Sequence, residues 1–207
     1  MRQIEDAFEF GLASTPAEKQ RIYALRAKHY LMEAPYLLGK NEGTPGKDRF
    51  DACSLIFYLQ RNDEIVATSR LTPFHDGHWE VSEALPAEML PFDPGVFAQF
   101  NRILVDDRFR NRSLHELMFF LACEWSLANT AIRKYFSVCT VSHYRFYKNY
   151  GASRAWPDPF LLAGRGDTRY LLVQGTLEDA RRLTHKQLSQ KEHLPDPLPP
   201  LPRFSTP

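Results

Sequence analysis

One apolar run, Val96 to Val105, does most to limit what this chain can fold into. Only Gln99, Asn101 and Arg102 break it, so it reads as a strand buried on both faces and therefore central in a sheet. A basic stretch, Asp106 to Arg112, follows. Ser113-Leu114-His115-Glu116 then reads as a capping box. The box opens a long helix to about Asn129, with Leu114, Leu117, Met118, Leu121, Ala122 and Trp125 at helical spacing. Tyr135 to Val141 is expected to form the next strand.

The flanking sequence supplies the other elements. Thr15-Pro16-Ala17-Glu18 is a strong helix start, with Ile22, Leu25, Ala27 and Tyr30 facing inward and an end before Pro35. Residues 39–47, with three glycines, read as a mobile loop. Ala52 to Gln60 and Glu64 to Leu71 read as a hairpin about Asn62-Asp63. His75 to His78 is a turn, Trp79 to Ser82 a short strand, and Ala84 to Leu90 a weak helix or loop. His143 to Tyr150 is a short helix closed by Gly151. Leu161 to Ala163 and Arg169 to Gln174 are strands about a Gly164–Gly166 turn, and Thr176 starts a last helix. This order predicts an α/β (α+β) three-layer sandwich: a mixed, mostly antiparallel sheet flanked by helices. It is not a dinucleotide-binding pattern, because no GxGxxG follows a strand. Residues 1–193 are expected to form a single domain, and 194–207 a proline-rich tail, extended or disordered.

Composition excludes several classes. A net charge of +1, with acids interleaved among the bases, argues against a nucleic-acid surface. No apolar run approaches the roughly 20 residues of a membrane span, and the N-terminus has no signal-peptide core. Cys53, Cys123 and Cys139 are widely spaced, form no zinc pattern, and are expected to be buried thiols in a reducing cytoplasm. His75 and His78 flank a turn without a third ligand, so no metal site is expected. Neither a Gly-x-Ser-x-Gly elbow nor a P-loop is present.

Three groups of residues can carry chemistry. Arg108, Arg110, Arg112 and Ser113 lie where a strand feeds a helix N-terminus. Free N–H groups and arginines there suit a pyrophosphate, a phosphopantetheine arm or an acidic carrier protein, though a solvated basic turn has the same sequence. Arg26, Asp48, Asp51, Arg70 and Arg102 read either as a buried ion-pair network or as a pocket for an amino-acid-like substrate. In such a pocket arginine would hold the carboxylate and aspartate the ammonium. The aromatic set, with Tyr30, Tyr36, Phe50, Phe97, Phe100, Phe119, Phe120 and Tyr144 to Tyr150, is expected to be mostly core. Part of it can line an acyl tunnel.

Over about residues 20–155 the chain resembles the acyl-homoserine-lactone synthases of the LuxI type, relatives of the GNAT acyltransferases. The likeness rests on Arg26, on Tyr30 and Tyr36 where that family usually has Phe and Trp, on Asp48-Arg49-Phe50-Asp51, on Arg70-Leu71-Thr72-Pro73, and on Arg102. The resemblance implies a GNAT-like fold with a V-shaped cleft in its sheet. It also implies acyl transfer from acyl-carrier protein or acyl-CoA to the amine of S-adenosylmethionine, giving an acyl-homoserine lactone, a quorum-sensing autoinducer. Both reactants are substrates, and no cofactor is bound. Arg26, Tyr30, Tyr36, Asp48, Asp51, Phe100 and Ser142 would bind substrate, with Asp48, Asp51 and Arg26 on the amine. Arg70, Arg102, Gln99 and Tyr147 would form the catalytic set, with Tyr147 or Tyr150 protonating the leaving thiolate.

The departures are Gly46 and Gln99, where the family has glutamates, and Tyr36. They leave open another amino-acid-like acceptor, as in the N-acyl amino acid synthases, or a non-catalytic acyl- or carrier-binding module.

Overall fold

The computed structural model describes residues 8–33, 35 and 43–190, without the side chains of Glu33, Asn111 and Arg112. The proline-rich tail, Tyr36 and the first part of the expected loop at 39–47 lie outside them. In chain order the strands and helices are β1 (Glu9–Leu12), α1 (Pro16–Glu33), β2 (Leu55–Arg61), β3 (Glu64–Pro73), β4 (Phe97–Val105), α2 (Leu114–Asn129), β5 (Lys134–Thr140), α3 (Tyr144–Asn149), β6 (Ser153–Arg154), β7 (Phe160–Leu161), β8 (Arg169–Thr176) and α4 (Leu177–Leu188).

The strands form one eight-stranded sheet in the order β1-β2-β3-β4-β5-β8-β6, with β7 also on β8. Every pairing is antiparallel except β4 with β5. The expected sandwich is therefore present, and β4 is central. Alternation along the strands divides the two faces. Phe57, Leu59, Ala67, Phe100 and Val173 pack with α2 and α4 in the main core. On the opposite face Ile56, Tyr58, Ile65 and Leu104 meet Ile22, Leu25 and Tyr30 of α1. The β5–β8 half of that face is covered by the segment after β3: Trp79, Leu85, Met89 and Phe92 lie over Phe97, Phe136 and Leu172. Phe92 stacks on Phe136 with centroids 4.1 Å apart.

The helix ends follow the sequence at α1. Glu18 accepts from the Thr15 N–H at 2.8 Å, and Thr15 Oγ1 accepts from the Glu18 N–H at 3.2 Å. Elsewhere there are corrections. Trp79–Ser82 is not a strand: a 3-10 helix, Glu80–Glu83, takes its place. Residues 49–52 form a 3-10 helix capped by Asp48, so β2 begins at Leu55. The 106–112 stretch is a 3-10 helix, Asp107–Arg112, capped by Asp106. The chain runs from it into α2 through Ser113 at φ +57°, so the Ser113 side chain makes no capping bond there. An N-cap side chain needs extended backbone to turn back on the first turn. Cys123 and Cys139 are buried, but Cys53 is only half-buried. Strands β1 and β6 were not anticipated.

Candidate active-site cleft

Strands β4 and β5 pair only from Phe97 to Gln99 against Lys134 to Phe136. Beyond that point they part. A β-bulge drives the parting. On β3, Thr68 and Arg70 oppose Leu104 and Asn101, so β4 carries one residue more than its partner. The extra residue kinks the strand and raises its twist. Arg102 sits in the bulge at φ +55°, a conformation costly for a side chain of this size and common at functional positions. The gap between the strands is a cleft of about 770 Å³, walled by Arg102, Ile103 and Leu104 on one side and Ser137 to Thr140 on the other.

A buried charge cluster stands behind the β4 wall. Asp51 accepts from Arg26 and from Arg70, each at 2.8 Å, and none of these three side chains reaches solvent. Asp48 accepts from Arg70 at 2.6 Å and from Arg102 at 2.7 Å. A third carboxylate was missed by the sequence reading: Glu80 pairs with Arg70 and accepts from Asn101, and lies 3.5 Å from Arg102. Burial pushes the Asp48 carboxyl up, but Arg70 and Arg102 outweigh it and hold it at about 2. Burial opposes charge on Arg102, yet Tyr30, Glu80 and Asp48 push its pKa up. Three guanidiniums face three carboxylates, and the closed part, Arg26, Arg70 and Asp51, is an ion-pair network. Its partly open edge is Arg102, Asp48 and Glu80, at 11%, 18% and 16% side-chain exposure. Arg70 also pairs with Asp48 and Glu80, so the cluster as a whole is neutral. Arg102 and Asn101 line the cleft and the two carboxylates stand behind them, where their oxygens can accept from a cationic amine.

The two expected acidic positions have structural explanations. Gly46 is at φ +83°, and a Cβ there would lie 2.3 Å from the Tyr23 carbonyl oxygen of α1. No side chain fits. Gln99 is 3% exposed and its Oε1 accepts from the Val81 N–H at 3.2 Å. It thereby fastens the 3-10 helix that delivers Glu80.

The basic stretch before α2 is largely neutralised. Arg108 pairs with Asp106 and Glu64, and Arg110 with Asp107 at 2.7 Å. Arg110 and Ser113 line the cleft; Arg108 does not. His29, His115 and His143 line the same end, and sequence spacing gave no signal for them. Burial is the first cause that lowers the His115 pKa.

Tyr147 lies in the cleft wall and its hydroxyl accepts from Ser137 at 3.1 Å. Burial pushes its pKa up, so it stays protonated. Tyr150 instead donates to Gln187 at 2.9 Å and does not line the cleft, so of the two expected tyrosines Tyr147 is the one placed there. Phe100 does not face the cleft: it is fully buried between Phe119 and Tyr135, because the strand alternation sends it to the α2 side. Ser142 is exposed in the turn after β5, 2.8 Å from Thr140 Oγ1. Among the described residues no group of three potential metal ligands occurs, and no helix is long and apolar enough to cross a membrane.

An antiparallel sheet that splits at one parallel pair, with a helix entering from the split, is a GNAT-like fold. Solved structures of that class superpose over nearly the whole chain. The CoA-dependent acyl-homoserine lactone synthase BjaI, solved with MTA, is 13% identical, with TM-score 0.72 over 96% of this chain and 95% of that one. MesI, also a CoA-dependent acyl-homoserine lactone synthase, is 16% identical, with TM-score 0.69 over 87% and 95%. FeeM, an N-acyl amino acid synthase from uncultured soil microbes, is 13% identical, with TM-score 0.62 over 91% and 98%. These likenesses are of fold. No family model and no curated protein matches the sequence.

Proposed function

We propose that this protein is an N-acyltransferase that moves an acyl group from an acyl-CoA or acyl-carrier-protein thioester to an amino-acid-like amine. S-adenosylmethionine is the proposed acceptor, and an acyl-homoserine lactone the proposed product. The observation that carries this reading is the opening between β4 and β5 beside a charge cluster whose partly open edge holds the Asp48 and Glu80 carboxylates. A thioester in the gap would place its carbonyl against β4 main chain that β5 no longer pairs. An N–H there is suited to steady the oxyanion.

The ammonium is drawn to the Asp48–Glu80 edge. Asp48, held ionised, is a poor proton acceptor and serves as a fixed negative charge. Glu80 is the carboxylate left to take the proton as the amine attacks the carbonyl carbon. The C–S bond then breaks, and Tyr147 is placed to protonate the thiolate. The free thiol leaves with no covalent enzyme intermediate. With S-adenosylmethionine as acceptor, the carboxylate of the acylated product then attacks its own Cγ, the Cγ–S bond breaks, and methylthioadenosine leaves as the lactone closes.

A second reading, acylation of another amino-acid-like amine, is favoured by the absence of side chains at Gly46 and of an acid at Gln99. A free-thiol release assay separates the two. The protein is given a panel of acyl-CoA and acyl-carrier thioesters, with S-adenosylmethionine or with mixed amino acids. Release that depends on S-adenosylmethionine supports lactone synthesis, and release only with another amine supports the second reading. Silence across the panel turns the weight to a non-catalytic acyl-binding protein.

A further inference from the structure

Two polar atoms beside the cleft have no partner among the described residues: the Tyr30 hydroxyl and Arg102 Nη1. Tyr30 comes from α1 and is only 4% exposed. The Arg102 guanidinium lies over its ring, 5.5 Å from the centroid. Both residues line the cleft, and both unpaired atoms are shielded from bulk solvent. A buried donor without a partner is expensive, and native structures rarely keep one without a use. Packing does not explain the hydroxyl, because phenylalanine would fill the same ring space and keep the contact with Arg102. Nor does the charge cluster explain Nη1: the Arg102 bonds to Asp48 and Glu80 both run through Nη2.

We infer that the Tyr30 hydroxyl and Arg102 Nη1 together bind a carboxylate oxygen of the acceptor. Resting on the acyltransferase reading above, this makes Tyr30 a specificity-determining residue for acceptors that carry a carboxylate. The acceptor would then straddle Arg102. Its carboxylate meets Nη1 and the phenol, and its ammonium meets the carboxylates gathered at Nη2. The two donors only hydrogen-bond, and no bond at the carboxylate changes during acyl transfer; in lactone closure the carboxylate leaves them to attack its own Cγ. Because the two atoms are covered, the carboxylate has to settle into the wall as it binds.

The test is Tyr30→Phe, which deletes one oxygen and retains the ring. Acceptor binding is measured by calorimetry with S-adenosylmethionine and with its decarboxylated analogue, and steady-state thiol release is measured in parallel. The expected result is a loss of S-adenosylmethionine affinity of about tenfold or more, with affinity for the decarboxylated analogue unchanged and kcat retained. The inference is overturned by equal loss for both ligands, by unchanged affinity for both, or by a fall in kcat alone, which would put the hydroxyl at the thioester carbonyl. If S-adenosylmethionine does not bind the wild type, the same comparison is made with a turned-over amino acid and its methyl ester. Absence of binding by any carboxylate-bearing amine overturns the inference. Thiol release with amines lacking a carboxylate would overturn it while leaving the acyltransferase reading intact.

Discussion

Asp51 accepts a hydrogen bond from Arg70 at 2.8 Å with both side chains closed to solvent. Asp51 also holds Arg26 at 2.8 Å and accepts from the Asp48 N–H at 2.9 Å. One carboxylate thus ties α1, β3 and the loop that carries Asp48. Desolvating these charges offsets much of their attraction, so the network adds geometry more than stability. It fixes Asp48 against Arg102, and so shapes the edge that meets the acceptor.

Removing one partner should therefore be costly. Arg70→Ala leaves Asp48, Asp51 and Glu80 facing too little positive charge, and an expected loss of about 3–5 kcal/mol follows. Urea unfolding monitored by tryptophan fluorescence measures it. Acyl transfer should be lost as well. A folded Arg70→Ala protein with near-normal turnover would separate this cluster from the chemistry.

Acid should loosen the same cluster. The Asp48 carboxyl is held at about 2 against an ordinary value near 3.8. A carboxyl depressed by folding contributes stability that is fully present above its ordinary value. That contribution fades as the pH falls toward the folded value. Stability should drop between about pH 4 and pH 2, and Asp48→Asn should flatten this part of the profile. A variant with the same acid slope as the wild type would exclude Asp48 as its source.

Gly46 bears on how the site differs from the glutamate pattern it resembles. Gly46→Ala puts a Cβ against the α1 backbone at a positive φ, which should destabilise by more than about 1 kcal/mol. Gly46→Glu should be no better. Thermal unfolding of both variants checks this, and a Gly46→Glu protein as stable as the wild type would show that the loop can move away from α1.

The sheet and its helices were largely legible, because β4 and α2 announce themselves through apolar runs and spacing. So were the residues that come together at the site: Arg26, Asp48, Asp51, Arg70 and Arg102 meet as their order suggested. What could not be read was anything set by a three-dimensional crossing. Glu80 sits in a stretch that alternates weakly enough to pass for a strand, and long-range contacts carry it to Arg70: the packing of Trp79 on Phe136, the Val81–Gln99 bond and the Asn101–Glu80 bond. The Arg102 bulge leaves no mark in composition, since it arises from a register mismatch between two strands that each look regular. The arginines after β4 look like an anion site in sequence, yet Asp106, Asp107 and Glu64 neutralise Arg108 and Arg110 across short distances.

Glu80 and Gln99 give opposite expectations. If Glu80 takes the amine's proton, Glu80→Gln should lower kcat by about 100-fold or more with little change in thioester KM. Gln99→Glu keeps an oxygen for the Val81 N–H and adds a carboxylate where Glu80 already serves. It should leave turnover with S-adenosylmethionine near the wild-type level. A marked gain in Gln99→Glu would mean that the acid missing at that position limits the reaction.

Tyr147 tests the other end of the chemistry. Its hydroxyl is kept protonated by burial and is held by Ser137, while Tyr150 is occupied by Gln187. A general acid matters most when the leaving group is basic. Tyr147→Phe should therefore lower kcat by about 100-fold with an ordinary CoA or pantetheine thioester. It should do so far less with a thioester of an acidic aryl thiol, which leaves without a proton. Parallel kinetics on the two donors give the comparison. An equal loss on both would assign Tyr147 to packing beside Phe119 and Tyr135 instead, and thiolate departure would then need a different proton source in the cleft.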